Sequence, residues 1–65
     1  MRTKRIEIKH DSPISAAIAK SIAEEVALRP VTLHDNNKLI IFPEDYANVV
    51  YHLTDRGVYW RYIQT

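Results

Sequence analysis

The chain has no cysteine, so no disulfide can hold the fold and no thiolate can bind a metal or attack a substrate. It has one glycine, too few for a phosphate-cradling loop or a Gly-x-Ser-x-Gly nucleophile elbow. Long apolar runs are missing as well. The longest aliphatic-aromatic stretch is Leu39-Ile40-Ile41-Phe42, far below the roughly 20 residues that span a bilayer. After Arg2, Lys4 and Arg5 the charge alternates with apolar residues, where a secretory signal would carry an apolar core; a cytoplasmic protein without membrane association is therefore expected. Charge of one sign does not dominate either. Nine Lys+Arg face eight Asp+Glu, a net charge of +1, which argues against a protein that coats DNA by bulk charge.

What is present is an ordinary globular composition, 46% hydrophobic and 26% charged, in 65 residues: one small domain over 1–65. A domain of about this size buries only about 60% of the surface that its unfolded chain exposes. Ordering costs roughly 1.5 kcal/mol per residue, which leaves a chain without cross-links near zero net stability unless it packs well or finds a partner. A second copy of the same chain is the commonest partner.

Residues 3–10 alternate, with Arg5, Glu7 and Lys9 against Ile6 and Ile8, the period of a half-buried strand. Asp11-Ser12-Pro13 then reads as a helix start, with Ser12 or Asp11 as N-cap and Pro13 in the first turn. The segment from Ile14 to Leu28 is rich in helix formers, and Pro30 stops it. On a helix, Ile18, Ile22, Val26, Ala16, Ala19, Ala23 and Ala27 share an arc of about 180°. One sheet covers a stripe of about 100°, so two neighbours are expected, and the alanine side suits close approach of a second helix. Val31–Leu33 and Lys38–Phe42 flank His34-Asp35-Asn36-Asn37, a hairpin pattern. Leu39–Phe42 is apolar on both alternating faces, as in a strand that is covered on both sides or meets a partner.

Pro43-Glu44-Asp45 predicts a second helix start, followed by Tyr46, Val49, Val50 and Leu53 at helical spacing, with Gly57 as C-cap. The rival reading makes residues 46–63 a hairpin turning at Thr54–Gly57 and gives the order β-α-β-β-β-β. Val58–Ile63 is a strand by composition, with Val58, Trp60 and Tyr62 on the core face and Tyr59, Arg61 and Ile63 on the other. The expectation is an α+β fold, a small sheet with element order β-α-β-β-α-β. Its core is expected to hold Ile6, Ile8, Ile18, Ile22, Val26, Leu39, Ile41, Val49, Leu53, Val58 and Trp60.

No catalytic group stands out. His10, His34 and His52 are not at metal-ligand spacing, and the carboxylate pairs Glu24-Glu25 and Glu44-Asp45 suit a solvated helix face and a first helical turn. No catalytic residue, metal site, cofactor or small-molecule substrate is expected, and the protein is read as non-enzymatic. The run Tyr51-His52-Leu53-Thr54-Asp55-Arg56-Gly57 is similar to the wing-to-helix stretch of MarR-type winged-helix regulators, where Leu-Thr-Asp-Lys/Arg-Gly is common. The similarity covers those residues alone. The helix-turn-helix that precedes them in that family is replaced here by one helix and a hairpin pattern, so its fold and role are not carried over.

Two functional readings remain. The first is a small interaction or regulatory protein, a homodimer that binds a larger protein partner. Its dimer surface would be the alanine side of the first helix (Ala16, Ala19, Ala23, Ala27) or the free sheet face at Ile40 and Phe42. The second is a nucleic-acid-binding protein with an aromatic-basic strand face. In either case the partner surface is expected among Arg2, Lys4, Arg5, Lys9, Arg56, Tyr59 and Arg61. If the first and last strands are neighbours, Arg5, Lys9, Tyr59 and Arg61 share one face.

Overall fold

The alternating N-terminus forms strand β1 (Lys4–Ile8), and helix α1 (Ala16–Ala27) follows, in a computed structural model that describes residues 2–63. Next come the hairpin strands β2 (Thr32–His34) and β3 (Lys38–Ile41), helix α2 (Pro43–Asp55) and strand β4 (Trp60–Ile63). The four strands make one antiparallel sheet in the order β2-β3-β1-β4. Each helix connects two strands that flank a third: β1 and β2 lie either side of β3, and β3 and β4 either side of β1. These are two interlocked split β-α-β units, the ferredoxin-like arrangement, a fold that hosts unrelated functions. The element order β-α-β-β-α-β is the one expected, and 46–53 is helix, not the hairpin of the rival reading.

Both helices cover the same face. Ile6 and Ile8 of β1 and Leu39 and Ile41 of β3 point into the helix layer and are buried with Ile22, Val49, Leu53 and Val58. Three residues join this core beyond expectation: Ala19, Ala23 and Val31. Val26 and Trp60 pack at its margin, half-buried. Ile18, expected inside, is 53% exposed. The buried stripe of α1 is centred on Ala19, Ile22, Ala23 and Val26, and Ile18 lies about 90° from that centre.

The start of α1 also differs from expectation. Ser15, not Ser12 or Asp11, is the N-cap, and its Oγ accepts from the Ile18 N–H (3.3 Å). Ser12 has other partners: its Oγ accepts from the N–H of Ile14 (3.2 Å) and of Tyr59 (3.0 Å) and donates to the Ile14 carbonyl (2.8 Å). The Tyr59 bond ties the β1–α1 connection to the approach to β4, a contact across 47 positions that local pattern cannot foresee.

Gly57 does what a C-cap glycine should. At φ +84 it lets the Val58 N–H reach the Leu53 carbonyl (2.9 Å) and its own N–H reach that of Thr54 (3.1 Å), a Schellman motif closed by the buried pair Leu53 and Val58. The C-terminus of α1 has the same left-handed need without a glycine: Leu28 sits at φ 58, ψ 35, and its side chain is 88% exposed. Left-handed backbone costs a residue with Cβ roughly 1–2 kcal/mol. Leu28→Gly is therefore expected to raise the free energy of unfolding by about 1 kcal/mol, read as a higher urea midpoint at unchanged slope. At the β2–β3 turn, Asp35 and Asn36 supply the positive φ values (54 and 65) between His34 and Asn37 that such a hairpin requires.

Candidate functional site

The sheet face away from the helices carries no covering layer from residues 2–63. Strand register fixes what it displays. One row across the sheet reads Thr32, Ile40, Arg5, Ile63, and the next reads His34, Lys38, Glu7, Arg61. The Lys9 N–H donates to the Tyr59 carbonyl (2.9 Å) and extends the β1–β4 ladder by one pair, so Lys9 and Tyr59 lie opposite each other beyond Arg61 on this same face. A surface hollow of about 320 Å³, lined by Glu7, Lys9, His10, Asn37 and Arg61, opens at that end.

The face is cationic. Arg5, Lys9, Lys38 and Arg61 stand against one carboxylate, Glu7, a net charge of +3 before the turn residue Asp35 is included. Glu7 is held within this group: its carboxylate accepts from Arg61 Nε and from Asn37 Nδ2 (3.1 Å). The Arg61 hydrogen bond, helped by the charges of Arg61 and Lys38 and by Asn37, keeps that carboxyl below the usual range and so ionised. Lys38 leans on Asp35 at 3.7 Å. Arg5 and Lys9 form no ion pair among the described residues. The helix layer has the opposite sign: α1 carries Lys20 against Glu24 and Glu25, and α2 carries Glu44, Asp45 and Asp55 with no Lys or Arg, −4 over the two helices. Lys4, Arg29 and Arg56 on the helix side offset three of these negative charges, so the cationic excess lies on the open face.

Of the expected partner surface, Arg5, Lys9, Tyr59 and Arg61 come together, because β1 and β4 are neighbours. Lys4 and Arg56 do not join them. Lys4 points to the helix side, where its Nζ lies 5.4 Å and 5.5 Å from the ring centres of Tyr46 and Tyr62. Arg56 caps the end of α2, and Arg2 precedes β1. Lys38, Glu7, His34 and Ile63 are on the open face but were not among the expected residues. Lys38 shares a face with Ile40 by simple alternation, a signal that becomes useful only once the register to β1 is known.

Of the expected dimer surface, the helix part is largely covered within the chain and the sheet part is not. Ala19 and Ala23 have no exposed area, and α1 packs closely against α2 of the same chain. Ala16 and Ala27 are half-buried beside them. Ile40 lies on the open face among the cations, and the Phe42 ring is covered by the Arg29 guanidinium at 4.5 Å. Arg29 also pairs with Asp45 (3.1 Å) and Glu44 (3.5 Å), and so joins the end of α1 to the start of α2.

No group of three or more His, Cys, Asp or Glu residues among the described residues could hold a metal ion. No helix among them is long and apolar enough to cross a membrane. No protein-family model, curated protein or solved structure matches the chain.

Proposed function

We propose that this chain is a small non-enzymatic interaction protein that docks a larger, negatively charged macromolecule on the open face of its sheet. One observation carries the reading: an uncovered four-stranded face groups Arg5, Lys9, Lys38 and Arg61 with the apolar Ile40 and Ile63 around a single carboxylate, Glu7, while five of the eight acids lie in the two helices. Apolar groups interspersed with cations supply contact area, and the cations supply steering and orientation. Two copies pairing through this face would set the same four cations against one another, so its partner is a different molecule. Self-association, if it is part of the function, uses exposed apolar groups of the helix side, such as Ile18, Leu28 and Tyr51, and leaves the face free.

Retention on immobilised heparin, a polyanion without bases, tests this reading. Arg5→Ala and Lys9→Ala should elute at clearly lower salt than wild type, and Glu7→Gln at higher salt. Arg56→Ala removes the same charge from the end of α2 and should elute close to wild type. Equal losses for Arg5→Ala, Lys9→Ala and Arg56→Ala would mean that net charge alone is read, and the docking face would be refuted.

A further inference from the structure

We infer that the macromolecule docked on this face is a single-stranded nucleic acid; the inference rests on the docking reading above and names its partner. The first support is charge complementarity. Four cations surround Glu7: Lys38 and Arg61 face each other across β1, two strand separations or about 10 Å apart, and Arg5 and Lys9 lie two residues either side of Glu7, about 7 Å along the strand, a pattern that can follow a flexible phosphate backbone. The second is Tyr59. The residue is 48% exposed at the cationic end of the face, opposite Lys9 and two positions before Arg61. Its backbone is held at both polar atoms, the N–H by Ser12 Oγ (3.0 Å) and the carbonyl by the Lys9 N–H (2.9 Å), so the ring is presented from a fixed point. A base can stack on such a ring whatever its sequence.

The third support is a place for a base. A single strand needs only a track of cations and a place for a base. The 320 Å³ hollow beside Lys9 and Arg61 offers that place, with Asn37 and His10 as hydrogen-bonding groups on its wall. The aromatic content sets a limit on affinity. One ring on an outer strand, with Arg5, Glu7, Lys38 and Ile40 on the central strands, makes a weak, sequence-tolerant binder rather than a reader of bases.

The test uses fluorescein-labelled oligothymidylate and oligouridylate, followed by anisotropy in low salt, with polyglutamate as competitor. Wild type should bind at least one of the two oligonucleotides with a log–log salt slope of about −2 to −3, as expected for three or four neutralised phosphates on a single strand. Tyr59→Leu should weaken oligonucleotide binding by roughly fivefold or more. Tyr59→Phe should bind like wild type, and heparin retention should be unchanged in both variants. A thermal melt matching wild type shows that the ring change leaves the fold intact. If Tyr59→Leu binds the oligonucleotides like wild type, or polyglutamate displaces them equally well per charge, the partner is an acidic polypeptide and the nucleic-acid inference falls while the docking face stands. If neither oligonucleotide, polyglutamate nor heparin binds, the docking reading itself falls.

Discussion

Ala23→Glu is expected to abolish the fold, not to separate two folded copies. Ala23 and its neighbour one turn earlier, Ala19, are fully buried where α1 packs against α2. A glutamate at 23 first has to make room between two helices, and overpacking of this kind costs about 1–3 kcal/mol. It then places a carboxylate in a core with no buried polar or charged residue among those described, which costs several kcal/mol more even when the group takes up a proton. A chain of this length has roughly 3–10 kcal/mol of total stability to lose. Far-UV circular dichroism and the dispersion of amide resonances should therefore show an unfolded chain at 25 °C. A cooperative melt near that of wild type, with a change in sedimentation only, would mean that the alanine seam faces another copy and not α2.

Leu53→Ala should have the next largest effect. Leu53 is fully buried, lies in the last turn of α2, and closes the Schellman motif against Val58. Truncation removes its transfer free energy and leaves a cavity, together about 2–5 kcal/mol. It also strips the hydrophobic contact from the helix stop that aims the chain into β4, so β4 is expected to lose its pairing with β1 first. Urea denaturation should show most of the stability gone, and hydrogen exchange should show early loss of protection at Trp60–Ile63. A loss below about 1 kcal/mol would contradict the placement of Leu53 at the centre of the core.

The strands and helices were legible in the sequence where one physical signal acted alone. Alternation marked Ile6 and Ile8, the proline and acids of Pro43-Glu44-Asp45 marked the start of α2, and the lone glycine marked its end. Errors came where a distant partner decided the outcome. Ser12 looked like a cap and is instead bonded to Tyr59, 47 positions away. Ile18 shares the apolar arc in sequence, but the buried stripe is centred on Ala19 and Ala23 in a helix that packs against α2, and Ile18 lies outside it. The wide apolar arc of α1 did signal a second neighbour, but nothing local says whether that neighbour belongs to the same chain. The candidate site was half legible for the same reason. Tyr59, Arg61, Ile63, Arg5 and Lys9 could be assigned one face on the condition that β1 and β4 pair, whereas Lys38 joins them only through the register of β3 to β1.

The cationic open face is tested most directly by an amide chemical-shift titration of the wild-type chain with a short heparin oligosaccharide. The largest shifts should fall in Arg5–Lys9, Lys38–Ile40 and Tyr59–Ile63, fade as salt is added, and leave α1 and α2 nearly unmoved. Shifts clustered on the helices, or none at low salt, would contradict it.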